Sequence, residues 1–142
     1  QMCIRDSHSG ATAFLSNSLD HSLVSQSKRL YTRDVGEKDW LQDFETGRDR
    51  LRVHFVTEHG RVVRVVVIQY EAYIDGLWHA VVRYDEAHGF FHKDVMSPTS
   101  PQEKIIQPAP DKGKALLDAI TEIKQNWREY RLKYEASYHG NQ

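Results

Sequence analysis

The fold is decided by residues 51–85, which read LRVHFVTEHGRVVRVVVIQYEAYIDGLWHAVVRYD. Apolar and polar side chains alternate through much of this stretch, as they do in strands that bury one face. Two short reversals interrupt the alternation, His59-Gly60 and Asp75-Gly76. Glycine adopts positive φ without strain, and Asp-Gly between apolar runs is a strong hairpin signal. The stretch therefore predicts three antiparallel strands joined by two tight turns.

The chain beyond this stretch predicts further strands and one long helix. Residues 90–96 indicate a fourth strand, and residues 104–107 a short fifth. Asp111 is a suitable N-cap for a helix that extends to about Tyr138. The predicted fold class is α+β, an antiparallel meander sheet of four to five strands packed by one long C-terminal helix. Apolar side chains recur along the helix in steps of three and four and form one stripe: Leu116, Ile120, Ile123, Trp127, Tyr130, Tyr134 and Tyr138.

The residues before this domain divide into two segments. Residues 1–27 are rich in Ser, His and Asn, which predicts a disordered tail, and their start resembles an artefactual read-through string of metagenomic translations. Within residues 28–48, Trp40, Leu41 and Phe44 stand at helical spacing, which predicts a short helix or docking segment. The α+β domain is therefore expected to occupy residues 49–142.

Composition excludes several classes of protein. The chain has 142 residues, enough for one domain with its own core, and no apolar run approaches the roughly 18 residues of a spanning helix. Its 19 basic and 20 acidic residues nearly cancel, so a polyanion site would have to be local. The single cysteine, Cys3, excludes a disulfide framework and suits a reducing compartment. We expect a cytoplasmic protein without a membrane segment.

Two-residue turns would fix which side chains share a face of the sheet. They place Thr57 opposite Val62, Phe55 opposite Arg64, Val53 opposite Val66 and Tyr70 opposite Val81. The face predicted to lie under the helix holds Leu51, Val53, Phe55, Val62, Val66, Ile68, Tyr70, Ile74, Leu77 and Val81. The opposite face holds a polar and aromatic mixture of Arg52, His54, Gln69, Glu71, Tyr73, Trp78 and Tyr84.

Reactive side chains are densest between residues 83 and 94, at the end of one strand and the start of the next. Strand ends and their loops often carry functional sites. Histidine exchanges protons near neutral pH, and Arg and Lys can hold a phosphate, which together suit RNA cleavage without a metal ion. The predicted catalytic residues are His88, His92, Asp85 and Glu71, and the predicted substrate contacts are Arg83, Lys93, His54 and Tyr84. No metal or other cofactor is assigned.

Other interpretations of these residues remain open. Arg83 and Asp85 stand two apart and could pair structurally on one strand face. His54 could be a packing residue, and the role of Glu71 could be limited to pairing with a nearby cation. His88 and His92, with Asp85 or Asp94, could also ligate a metal ion, although Gly89 and the aromatic pair Phe90-Phe91 argue against a helix that would bring the two imidazoles together.

Three stretches resemble a prokaryotic family of small uncharacterised proteins: residues 51–64, 69–78 and 82–90. The resemblance covers most of residues 49–138. The series Arg83-Tyr84-Asp85, His88 and Phe91-His92-Lys93 is also similar to the Arg-Tyr-Asp and histidine-rich end of TumE-like toxins. Those toxins are taken to be ribonucleases encoded beside a helix-turn-helix antitoxin.

The resemblance and the residues together suggest a toxin-like, metal-independent ribonuclease of a prokaryotic toxin–antitoxin or defence system. Its expected partners are RNA and a cognate antitoxin or other protein, and a homodimer is an open possibility. The alternative is a non-enzymatic subunit of a defence or mobile-element assembly that binds protein or nucleic acid through Tyr73, Trp78 and Tyr84. A metal-dependent hydrolase is the third hypothesis.

Overall fold

The computed structural model describes residues 34–140, so the tail predicted for residues 1–27 lies outside the described residues. Six strands of this part of the chain form one antiparallel sheet in the order β1-β2-β3-β4-β5-β6, and one long helix follows them. The predicted α+β architecture is confirmed, with one strand more than expected. The elements are β1 Val35–Asp43, β2 Asp49–Glu58, β3 Arg61–Ile74, β4 Leu77–Asp85, β5 His92–Val95, β6 Glu103–Ile106 and α1 Lys112–His139.

The additional strand, β1, replaces the short helix predicted within residues 28–48. It pairs antiparallel with β2, so the sheet begins at Val35 and not at residue 49. Trp40 and Phe44 are four residues apart, a spacing that puts two side chains on one face of a strand as well as of a helix. Trp40 packs edge-on against Phe55 of the neighbouring strand, and cross-strand packing of this kind selects the extended form.

The two predicted reversals are confirmed. His59 and Gly60 have φ of 49° and 73°, and Asp75 and Gly76 have φ of 50° and 83°. Two consecutive positive φ angles are the signature of the type I′ turn, whose twist matches that of the strands it joins. Both hairpins therefore follow from local sequence.

Three register shifts separate the observed pairing from the predicted one. Thr57 pairs with Val62 as expected, but β3 then contains extra residues, and Phe55 pairs with Val65 and Val53 with Ile68. In β4 the extra residue is Val81, so Tyr70 pairs with Val82. Each extra residue in a β-bulge moves the following side chains to the other face. Of the predicted pairs, Thr57 with Val62 is confirmed. The pairs of Phe55 with Arg64, Val53 with Val66 and Tyr70 with Val81 are wrong.

Helix α1 covers one face of the sheet. The Asp111 side chain accepts a hydrogen bond from the Lys114 amide at 3.0 Å, which confirms the predicted N-cap, and the helix ends before Gly140 as expected. The core under the helix holds Leu51, Val53, Ile68, Tyr70, Val82 and Tyr84 from the sheet and Leu116, Ala119, Ile123, Trp127 and Tyr134 from α1. No helix between residues 34 and 140 is long and apolar enough to cross a membrane.

Candidate functional site

The sheet face opposite α1, called the open face below, carries most of the polar candidates. In the described part of the chain, α1 is the only helix, and its buried residues pack against the other face. Several polar side chains of the open face are nevertheless buried, because they contact one another. The open face comprises Arg50, Arg52, His54, Gln69, Glu71, Tyr73, Trp78, Arg83, Asp85, His92 and Asp94.

One hydrogen-bonded chain of side chains crosses the middle of the open face. Arg50 Nε donates to Glu71 Oε1 at 2.6 Å, and Gln69 Nε2 donates to Glu71 Oε2 at 2.6 Å. Arg83 Nε donates to Gln69 Oε1 at 2.7 Å, and Arg52 Nε lies 3.5 Å from Glu71 Oε2. Glu71 is thus held between two guanidinium groups and an amide, as a structural anion with both oxygens engaged.

The pKa of Glu71 reflects this environment. Burial by itself would raise the pKa, but hydrogen bonds from Arg50 and Gln69 and the charges of Arg50 and Arg52 outweigh burial and lower it below its ordinary value. A carboxylate with a lowered pKa does not take up protons near neutral pH. Glu71 is therefore suited to orienting its neighbours and unsuited to general-base chemistry.

We predict that Glu71→Gln lowers the free energy of unfolding at pH 7 by about 1.5–3 kcal/mol, because the charged hydrogen bond from Arg50 and the ion pair with Arg52 are lost. The lowered pKa stabilises the fold above the unfolded-state value and ceases to do so as pH falls through the folded-state pKa. The difference from wild type should therefore shrink at about pH 3. Urea denaturation at both pH values measures the difference in the free energy of unfolding. The control is Glu58→Gln, because Glu58 is exposed. A difference that is equal at the two pH values would contradict the assignment.

A second group lies at the β4–β5 end of the open face and consists of Asp85, His92 and Asp94, called the trio below. His92 Nε2 lies 3.1 Å from Asp85 Oδ1 and 3.4 Å from Asp94 Oδ2. His92 Nδ1 lies 3.2 Å from the Phe90 carbonyl oxygen. A carbonyl only accepts, so Nδ1 carries a proton and Nε2 points at the two carboxylates. The trio is buried, with 2% of the His92 side chain exposed.

His88 lies at the rim of the trio. It is exposed on the β4–β5 connection, and its ring lies 6.2 Å from that of His92 at an angle of 20°. The two histidines predicted as an acid–base pair are therefore neighbours with different access to solvent. His88 can reach a ligand, whereas His92 is buried with both nitrogens close to protein oxygens.

The structure does not bring Lys93 and Tyr84 to the trio. Lys93 follows His92 in β5, so its side chain points to the opposite face, where Nζ lies 2.7 Å from Glu122 Oε1 of α1. Tyr84, predicted for the polar face, stacks on Phe91 beneath the helix, because the bulge at Val81 reverses the end of β4. Burial raises the pKa of its hydroxyl to about 12.

His54 lies on the open face but away from the trio. Its ring nitrogen contacts the Glu37 carboxylate of β1, and β3 separates its strand from β4. Arg83 and Asp85 share the open face as the spacing predicted, and Asp94 pairs with Arg83 across the ladder. The imidazole of His54 and the trio are therefore separate groups.

Arg50, at the opposite end of the open face, was not among the predicted site residues. Arg50 lies over the Trp78 ring at 3.8 Å from its centroid, and Tyr73 packs beside Trp78 at 5.3 Å. Trp78 and Tyr73 are 37% and 38% exposed. The sequence pattern that could have identified Arg50 is alternation in β2. Arg50 and Arg52 flank the buried Leu51, which places both arginines on the open face.

Comparison with known proteins identifies a family. A family model described as Domain of unknown function (DUF7718) matches residues 35–140, which is more than half of the chain and spans all six strands and α1. No curated protein and no solved structure matches the chain.

Proposed function

The chain belongs to the DUF7718 family of unknown function, and from the geometry of its own residues we propose that it binds single-stranded RNA across the open face and cleaves it at the β4–β5 end. The observation that carries the proposal is the combination of exposed aromatic rings, arginines and an exposed imidazole on one sheet face, which no helix covers within residues 34–140. Antiparallel sheets that bind single-stranded RNA use the same combination of stacking rings and cationic side chains.

The binding half of the proposal rests on Trp78 and Tyr73. Both rings are more than one-third exposed at the β3–β4 hairpin, and Arg50 already stacks on Trp78. A base can stack on the free side of these rings, whatever its identity, because every base has a π face. Arg52 lies on the same face beside Arg50, and its partly exposed side chain suits a phosphate contact.

The cleavage half rests on His88 and Arg83. His88 accepts the proton of a ribose 2′-hydroxyl, the 2′-oxygen attacks the adjacent phosphorus, and the 5′-oxygen leaves with a proton returned from the imidazolium. The products are a 2′,3′-cyclic phosphate and a 5′-hydroxyl. Arg83 pairs with Asp94, two pairs along the ladder from Asp85 and His92, and stabilises the charge on the phosphoryl oxygens. This step uses no metal ion.

The cellular role that we propose is that of a toxin held in check by a protein partner in a prokaryotic toxin–antitoxin or defence system. The support is the likeness of Arg83-Tyr84-Asp85 and Phe91-His92-Lys93 to TumE-like toxins. Expression should then arrest growth, and the arrest should be relieved by His88→Ala. Arrest that persists unchanged in this variant would remove the catalytic explanation of toxicity.

A second candidate function is RNA binding without cleavage. It is favoured by the position of Trp78 and Tyr73, which lie at the opposite end of β4 from the imidazoles. A stacking platform there would work without His88.

Incubation of purified protein with end-labelled single-stranded RNA separates the two candidates. New fragments that end in 2′,3′-cyclic phosphate support the ribonuclease. Retention of intact RNA in a stable complex supports the binding module, and the absence of both binding and cleavage at low salt contradicts both.

We predict that Trp78→Ala weakens RNA binding about 5- to 150-fold, the equivalent of about 1–3 kcal/mol per stacked base. Fluorescence anisotropy with labelled RNA measures the loss. Leu77→Ala is the matched control, because Leu77 is the preceding residue and is 64% exposed, but points to the other face of the sheet. Equal losses in the two variants would show that the hairpin, and not the open face, determines affinity.

A further inference from the structure

We propose that the trio of Asp85, His92 and Asp94 binds one divalent first-row metal ion, such as Zn²⁺ or Mn²⁺. One ligand atom from each residue lies within 4.8 Å of the others, and all three residues are buried. This inference goes beyond the proposed function, because metal binding is measured without RNA. It also assigns a role to His92, which the cleavage step leaves unused.

The orientation of His92 is the first argument. Nδ1 lies within hydrogen-bond distance of the Phe90 carbonyl, and Nε2 is directed at Asp85 Oδ1 and Asp94 Oδ2. In the tautomer protonated on Nδ1 alone, three electron-pair donors converge in a buried space, which is unfavourable unless a metal ion lies among them. Histidines that ligate metals commonly donate their other ring N–H to a backbone carbonyl in this way.

Asp94 provides a second and independent argument. Its residue is 3% exposed, and among the described residues its Oδ1 atom is buried without a hydrogen-bond partner. A buried carboxylate oxygen left unpaired costs free energy, and native proteins rarely leave one so. A metal ion bound by the trio would engage this carboxylate and remove the deficit.

The ligand set limits the identity of the ion. One imidazole nitrogen with two carboxylates is a mixed nitrogen and oxygen set, which suits Zn²⁺ or Mn²⁺ better than the all-oxygen environment of Ca²⁺. Three protein ligands leave at least one position for water. Asp85 ends β4 and His92 begins β5, so the ion would join the two ends of the connection that carries His88.

The test begins with protein stripped of metal by a chelator and dialysed. Isothermal titration with ZnCl₂ and with MnCl₂ should show one equivalent bound by wild type. Asp94→Asn should weaken binding by at least roughly tenfold. Glu37→Gln is the matched control, because Glu37 also contacts an imidazole on the open face but belongs to another strand pair. We expect its affinity to equal that of wild type.

If Asp94→Asn fails to fold, a measurement on the wild-type protein provides a second test. Nitrogen-15 NMR of the imidazoles should show that Zn²⁺ shifts the His92 Nε2 resonance while Nδ1 keeps its proton. The inference is overturned if wild type binds neither metal, or if Asp94→Asn binds as tightly as wild type. It is also overturned if both His92 nitrogens carry protons at neutral pH and do not respond to metal, because a proton then occupies the place of the ion.

Discussion

His88→Ala is expected to slow RNA cleavage by about 10²–10⁴-fold, the usual contribution of a general acid–base group. His88 is exposed at the rim of the trio, and its removal takes away the imidazole that can reach a 2′-hydroxyl. RNA affinity should change little, because stacking on Trp78 and contact with Arg52 remain. The substitution should therefore lower the rate constant for cleavage of bound RNA. Single-turnover cleavage with protein in excess measures this rate constant directly.

The matched control for this prediction is His59→Ala. His59 is also an exposed imidazole beside a carboxylate, Asp34, but it lies in the β2–β3 turn. Its removal should leave the single-turnover rate within a factor of about two of wild type. The catalytic assignment fails if His88→Ala cleaves at the wild-type rate, or if both variants lose activity equally while remaining folded.

Asp49→Ala is expected to lower the free energy of unfolding by about 3–5 kcal/mol, the usual cost of removing one partner of a buried ion pair. Asp49 is fully buried at the start of β2. Its Oδ1 accepts a hydrogen bond from the Tyr70 hydroxyl at 2.6 Å and lies 2.7 Å from Arg131 Nη1 of α1. Thr46 donates to the second oxygen. The carboxylate thus joins the helix to two strands.

The groups left behind explain the size of this effect. Burial, together with the hydrogen bond to Asp49, raises the pKa of the Tyr70 hydroxyl, which is therefore a donor throughout the neutral range. In Asp49→Ala this buried donor loses its acceptor, and the guanidinium of Arg131 loses its main buried counter-charge. Arg131 would keep Glu135 and the carbonyls of Arg48 and Tyr73 as partners, which limits the loss.

Urea denaturation followed by circular dichroism measures the stability change. The control is Asp118→Ala, which removes an exposed carboxylate paired with Lys114 one helical turn away. Fully exposed pairs of this kind contribute little to stability, so the control should remain close to wild type. Asp49→Asn should lie between wild type and Asp49→Ala, because the amide oxygen still accepts from Tyr70. Similar losses in Asp49→Ala and Asp118→Ala would contradict the role of the buried carboxylate.

Much of the architecture followed from local sequence. Asp75-Gly76 and His59-Gly60 bring the strands together through turns that need positive φ, a property of those residues themselves. Asp111 and the stripe through Leu116, Ile123 and Trp127 likewise predicted the helix and its buried side. The one element predicted with the wrong type, β1, has apolar residues at a spacing shared by helix and strand.

The candidate site was only partly predictable. Arg83 and Asp85 were expected on one face, and the structure places them there with His92 and Asp94. Tyr84 was expected on the polar face with Arg52 and His54 and lies under the helix, because a single extra residue in β4 reverses the faces. Nothing in the sequence around Val81 predicts this bulge, since Val81 and Val82 both suit either face of a strand.

The sequence by itself determined the turns, the helix, the order of strands β2 to β6 and the chemistry available between residues 83 and 94. Those properties depend on φ preferences, on periodicity and on side-chain type, all of which act over a few residues. Only the tertiary structure decided which side chains meet. Bulges are set by packing between strands, and the bulge in β4, with the pairing of β4 and β5, placed Tyr84 and Lys93 on the helix side and His92 between two buried carboxylates.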